Sequence, residues 1–180
     1  LHDQLHEGDT VDVRAPNGHF YLDPSRETPV VLIAGGVGLT PMVSMINALC
    51  DSGSEREAWF FYGVRHGGEH AMKEHLEEVD REFPNIHVVT FYSAPREEDT
   101  QGRDYTYEGH VSVETMRELL GSTNYEFYLC GPPPMMRVIT EGLEEWGVPD
   151  KAVNYEAFGP ATVTKTPQSK AVEEAGAEAV

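Results

Sequence analysis

The chain has 180 residues, 39% of them hydrophobic and 24% charged, the make-up of a globular protein with room for one good core. No apolar run approaches the ~20 residues a membrane helix needs, so membrane insertion is not expected. Asp and Glu number 31 against 13 Lys and Arg, a formal charge of −18, so little is on hand to neutralise phosphates and nucleic acid is not an expected partner.

Residues 1–26 read as β. Gly8-Asp9 turns the chain, Thr10-Val11-Asp12-Val13-Arg14 alternates polar and apolar, Pro16-Asn17-Gly18 turns it again, and His19-Phe20-Tyr21-Leu22 alternates once more. Two short strands bury no core of their own, so this stretch is expected to be the tail of a β-domain. The chain starts at Leu1-His2-Asp3 with no initiator Met and no signal peptide, as if cut from something longer. Asp23-Pro24-Ser25-Arg26 is the expected crossing into the next domain.

Val30-Val31-Leu32-Ile33-Ala34 is an unbroken apolar run, mostly branched, as in a strand buried on both faces of a parallel sheet. Gly35-Gly36-Val37-Gly38-Leu39 follows. Then come Thr40, a good N-cap, and Pro41, suited to the first helical position. Met42, Met45, Ile46 and Leu49 recur at helical spacing. A glycine loop between strand and helix offers N–H groups and a helix N-terminus to an anion, and the anion expected is a dinucleotide pyrophosphate. The loop departs from G-x-G-x-x-G, with Thr40 in the place of the last glycine; the alternative is a tight turn that binds nothing.

From here strands and helices alternate. Ala58–Tyr62 is a second strand, and Met72, Leu76, Val79 and Phe83 mark a helix that stops at Pro84. Ile86–Tyr92 is the third strand, followed by a polar loop from Ser93 to about His110. Val113, Met116, Leu119 and Leu120 mark a third helix, and Tyr125–Cys130 is the fourth strand. Met136, Ile139 and Leu143 carry a fourth helix closed by Gly147, and Val153–Phe158 is the fifth strand. The pattern predicts an α/β fold, a doubly wound five-stranded parallel sheet of order 3-2-1-4-5. In that order the loops Gly35–Thr40 and Gly131–Pro134 flank one crevice at the carboxyl ends of the strands. Residues 161–180 hold nothing that packs a core and read as a linker or tail.

Two further residue types bear on chemistry. Cys50 and Cys130 are too few for a disulfide framework or a cysteine metal site and fit a reducing, cytoplasmic compartment. His66, His70 and His75 cluster in sequence, but Gly67-Gly68 separates the first pair and the second pair is not aligned on a helix face. They are read as solvated, and no metal site is expected.

Ala34–Pro41, Tyr62-Gly63-Val64-Arg65, Cys130-Gly131-Pro132-Pro133-Pro134-Met135-Met136 and Glu156-Ala157-Phe158-Gly159-Pro160 together resemble the NAD(P)-binding half of the ferredoxin–NADP reductase-like flavoreductases. The resemblance is strongest to the reductase part of flavohaemoglobins and to related reductases with a [2Fe-2S] domain. It implies that residues 1–26 end an FAD-binding β-barrel, that 27–160 are the NAD(P)-binding domain, and that FAD belongs to a longer parent, since the family's Arg-x-Tyr-Ser flavin motif is absent here.

The resemblance also implies roles. Gly35, Gly36 and Gly38 let the backbone approach the pyrophosphate, with Val37 and Pro41 in the same loop. Thr40 sits near the nicotinamide, Cys130 beside the carbon that gives up hydride, and Glu156 near that centre. Phe158 lies against the flavin, Arg65 and Ser93 lie toward the adenosine, and Gly131, Pro132 and Met135 complete the cofactor-binding set. Each residue has a plainer alternative: Cys130 as a buried thiol, Glu156 as a solvated charge, Phe158 as core, Arg65 as half of a surface ion pair, and Pro132 as a stiffener of its turn.

The activity implied is hydride transfer from NADH to flavin, with electrons passed to a haem or iron–sulfur domain or protein. The alternatives are the reductase part of a flavohaemoglobin-type nitric oxide dioxygenase, or a nucleotide-binding or interaction module without turnover. Arg65, Arg96 and Arg103 stand among Glu69, Glu97, Glu98, Asp99, Asp104 and Glu108, so NADH is expected over NADPH, whose 2′-phosphate these carboxylates repel.

Overall fold

A computed structural model of the chain describes residues 5–15 and 18–158. It contains β1 (Val30–Gly35), α1 (Leu39–Asp51), β2 (Ala58–Val64), α2 (Lys73–Glu82), β3 (Ile86–Tyr92), β4 (Tyr107–Glu108), α3 (Val113–Leu120), β5 (Glu126–Cys130), α4 (Pro133–Trp146) and β6 (Val153–Glu156). The strands form one sheet in the order β4-β3-β2-β1-β5-β6. Every pair is parallel.

β1 is wholly buried because it pairs on both edges and is covered on both faces. Alternate residues divide between two cores. Leu32, Phe60 and Tyr128 meet Met42 and Ile46 of α1 and Leu76 of α2. Ile33, Phe61 and Leu129 meet Met116 of α3 and Ile139 of α4. Two helices on each face of a parallel sheet make a three-layer α/β/α sandwich, whose ligand crevice lies at the strand carboxyl ends.

The predicted strand order is found, with one strand added at its edge. Tyr107 pairs with Phe91 and stacks on its ring at 5.3 Å, so a stretch expected as loop closes the upper edge of the sheet. The N-terminal expectation is not met within this chain. Thr10–Arg14 and His19–Leu22 run without a strand, with Val13 86% exposed. A strand requires a ladder partner, and among the described residues none lies beside them. Phe20 nevertheless docks edge-on to Tyr128 at 5.7 Å. The readings that rest on Leu1-His2-Asp3, Pro16-Asn17, Gly159-Pro160 and 161–180 lie outside the described residues.

The start of α1 also differs. Gly38 is its N-cap and Leu39 its first residue, while Thr40 lies inside the first turn and its hydroxyl donates back to the Val37 carbonyl at 3.2 Å. A 3-10 turn over Gly36–Gly38 starts the winding early, and burial of Leu39 holds it there. Pro41 therefore stands third in the helix, still in the turn whose N–H groups have no partner within the helix.

Candidate functional site

Parallel pairing of β1 with β5 brings the two glycine- and proline-rich loops together. A Cβ on Gly35 would lie 2.5 Å from the Met135 sulfur and 2.9 Å from Pro132 Cδ, so the β5–α4 loop rests directly on the glycine loop. A Cβ on Gly38 would lie 2.1 Å from the Cys130 carbonyl oxygen. Gly38 is thus needed where the helix end packs on β5. Gly36 is different: its φ is +52° and open space lies beyond its Cα. Of the three glycines it is the one that presents bare backbone outward.

These loops form one wall of a cleft of about 510 Å³ at the strand carboxyl ends. Gly35, Gly36, Arg65, Ser93, Pro132 and Met135 line it, as expected for a shared site. Its lining also includes Val111 and, one turn along α4 from Met135, Val138, which the sequence reading did not single out. One signal for Val111 was available. Gly63 interrupts a strand of large side chains, and its missing Cβ would lie 2.9 Å from Val111 Cγ2; glycine inside a strand marks such close approach.

At the cleft mouth Arg65 is 71% exposed and pairs with Glu69 at 3.6 Å. Ser93 is tied through its N–H to the Val64 carbonyl at 3.0 Å. The remaining candidates do not line this cleft. Val37 and Thr40 are exposed on the glycine turn, and Pro41 is half-buried behind them. Gly131 underlies Gly35, its Cβ position 3.1 Å from the Gly35 nitrogen. Phe158, after β6, is 49% exposed and so is not core.

Cys130 ends β5 on the opposite face of the sheet, fully buried among the residues that pack on α1. Burial, with the Glu156 carboxylate adding to it, pushes its thiol up to about 11. The sulfur therefore stays protonated at neutral pH and is unsuited to attack as a thiolate. Glu156 pairs with Cys130 across β5 and β6, and its exposed side chain borders a shallow hollow with His19 and Phe20.

The histidines are built in, contrary to their reading as solvated. His70 Nδ1 meets the Tyr92 hydroxyl at 2.8 Å, and its ring packs edge-on to Tyr62 and Tyr92. Burial lowers its pKa to about 4 and raises that of Tyr92 to about 12. His75 bonds Asn47, joining α2 to α1. His66 meets Arg96. These contacts come from residues far along the chain, which helical spacing cannot reveal. Among the described residues no three metal-ligating side chains gather to hold an ion, and no helix is long and apolar enough to cross a membrane.

Residues 32–141 match the model of the oxidoreductase NAD-binding domain. This chain belongs to that family. The NAD-binding domain is 44% identical over 161 residues to a flavohemoprotein of Bacillus thuringiensis, covering 89% of this chain and 40% of the relative. It is 41% identical over 160 residues to a flavohemoprotein of Rhizobium meliloti, again covering 40% of that protein. The chain therefore spans about two-fifths of the length of these relatives.

Among solved structures it is similar to the flavohem-like FAD/NAD-binding domain of nitric oxide dioxygenase from Vibrio cholerae, with TM-score 0.69 and 28% identity over 81% of this chain and 57% of that one. It is also similar to the cytochrome b5 reductase domain of Ulva prolifera nitrate reductase, with TM-score 0.70 and 26% identity over 86% of this chain and 62% of that one. The resemblance read from the motifs and the α/β fold read from the periodicity are thereby shown.

Proposed function

We propose that this NAD-binding domain holds NADH in the cleft between the Gly35–Gly38 and Gly131–Met135 loops and presents it to a flavin on an adjoining domain. The observation that carries the reading is the juxtaposition of those loops over a cleft whose mouth holds Arg65 and Ser93. The residues fit a dinucleotide. Gly36 offers backbone with nothing above it, as close approach of a pyrophosphate demands. The 510 Å³ volume lies in the range of small-molecule sites.

Bound there, the dihydronicotinamide supplies a hydride to the flavin. The chain's own residues bind and orient. Gly36 and the first turn of α1 face the phosphates, and Arg65 supplies positive charge at the mouth. Cys130, neutral and buried, packs the end of β5 against Gly38 at the start of α1. Glu156, the last residue of β6, and Phe158 beyond it stand exposed, on the side proposed to meet the flavin domain. In this reading residues 1–26 end an FAD-binding barrel and 27–160 are the NAD domain. The flavohemoprotein relatives support FAD and haem as the electron path beyond the cleft, and the unpaired Cys50 and Cys130 support a reducing, cytoplasmic setting.

The test is titration calorimetry with NADH, then stopped-flow flavin reduction in a protein that joins this chain to a flavin domain. Saturable binding, weakened several-fold by Arg65→Ala, is expected, with NADPH the poorer ligand. Absence of NADH binding to the folded chain overturns the reading.

A further inference from the structure

The chain has six methionines, and the fold divides them by access. Met42, Met45, Met116 and Met136 are at most 6% exposed and sealed in the two cores. Met72 is 47% exposed at the start of α2 and lines no part of the cleft. Met135, the third residue of α4, is half-buried and lines the cleft itself.

The Met135 sulfur sits where two glycines lack side chains. An ideal Cβ on Gly35 would lie 2.5 Å from Met135 Sδ, and one on Gly131 would lie 3.2 Å from it. Backbone at the ends of β1 and β5 thus closes one side of the thioether. Gly35, Pro132 and Met135 line the cleft while Gly131 does not, so the cleft is the open side. A thioether is a soft, uncharged neighbour for an approaching anion, and it is also oxidisable.

We propose that Met135 is a redox-modification site: a hydroperoxide entering the cleft converts its thioether to the sulfoxide, and the modified side chain closes the cleft to a dinucleotide. This rests on the dinucleotide reading above. In the step, sulfur attacks the terminal oxygen of the hydroperoxide. The O–O bond breaks, an S–O bond forms, and sulfur gives up two electrons. The departing oxygen takes them with the hydroxyl proton and leaves as water or an alcohol. Glycine backbone beneath the sulfur leaves the new oxygen only the cleft to occupy. There it faces the loop in which Gly36, next to Gly35, offers bare backbone to the pyrophosphate. A sulfoxide is polar, with its negative end on oxygen, so it opposes the phosphates by charge as well as by bulk. Met72 is open to the same oxidant without lining the cleft, and serves as an internal control.

The test treats the full 180-residue chain with graded hydrogen peroxide, removes the oxidant, and restores thiols with dithiothreitol. Peptide mass spectrometry then follows each methionine, calorimetry follows NADH binding, and far-UV circular dichroism follows the fold. Met72 and Met135 should gain one oxygen before any other methionine. NADH affinity should fall about fivefold or more in step with Met135, with the fold intact, and return after treatment with methionine sulfoxide reductases. Met72→Leu should show the same fall. Met135→Leu, whatever its starting affinity, should hold that affinity through peroxide to within about twofold. Full oxidation of Met72 with Met135 untouched overturns the proposal, as does full oxidation of Met135 with NADH affinity unchanged. So does a fall that persists in Met135→Leu, disappears in Met72→Leu, or comes with unfolding. Failure of the untreated chain to bind NADH is a different result: it overturns the dinucleotide reading itself, and the proposal with it.

Discussion

The Cys130 carbonyl oxygen occupies the place where a side chain on Gly38 would begin, 2.1 Å from an ideal Cβ. The contact joins the first turn of α1 to the carboxyl end of β5, the two elements whose loops enclose the cleft. Backbone stands on both sides, so no side chain can swing away to relieve an added methyl. Gly38→Ala is therefore expected to cost about 2–3 kcal/mol in stability, in the range of overpacked cores. Gly36→Ala meets open space and pays only for its left-handed φ, about 1–2 kcal/mol. Urea denaturation of the two variants should give that order, and the reverse order would refute the packing argument.

A second prediction concerns the other end of the sheet. Arg56 Nη2 pairs with Glu126 Oε2 at 2.6 Å, with both side chains almost fully buried. Arg56 also donates to the Thr28 carbonyl, and Arg26 reaches Glu126 from the surface. The cluster fastens residues 23–28 to the amino ends of β1 and β5. Arg56→Ala should cost about 3–5 kcal/mol by leaving a buried carboxylate short of its partner. Replacing both with Met and Leu should cost less than the single change. Equilibrium unfolding of the single and double variants decides it.

His70 makes stability depend on pH. Its folded pKa, about 4, lies below the ordinary 6.5, first because it is buried and then because Lys73 is near. The unfolded chain therefore takes up the proton at higher pH than the folded one. This contribution is complete above pH 6.5 and is lost as pH falls toward 4. The chain's many carboxylates also titrate there, so the comparison must be with His70→Gln. Denaturant midpoints measured at pH 7 and pH 5 should fall more for the parent than for the variant; equal falls would contradict this account.

Cys130 and Cys50 should differ in reactivity. Cys130 is fully buried with its thiol at about 11, while Cys50 is half-buried on α1. At pH 8 iodoacetamide should modify Cys50 first and reach Cys130 only after unfolding. Mass spectrometry of the native protein after brief labelling checks this. Prompt modification of Cys130 would show that the β5 end opens in solution.

The strands other than β4, the helices and the glycine loop are local patterns, and they were legible in order from the sequence. Val30–Ala34 could only be a strand covered on both faces, and the alternation that followed implied a parallel sheet whose switch point lies between β1 and β5. Motif spelling carried the family as well, because Cys130-Gly131-Pro132 and Ala34–Pro41 are short and contiguous. What could not be read locally was everything made by residues distant in the chain.

Tertiary structure decided that Gly38 serves packing while Gly36 faces outward, since that depends on where Cys130 lies. It decided that His66 and His70 are engaged by Arg96 and Tyr92, and that Glu126 is buried against Arg56. It left Thr10–Arg14 without a strand, because alternation supplies a strand's pattern but not the neighbour that accepts its hydrogen bonds. Periodicity reports which face of an element is apolar. Which side chains meet across the strand ends follows only once the sheet has set its order and register.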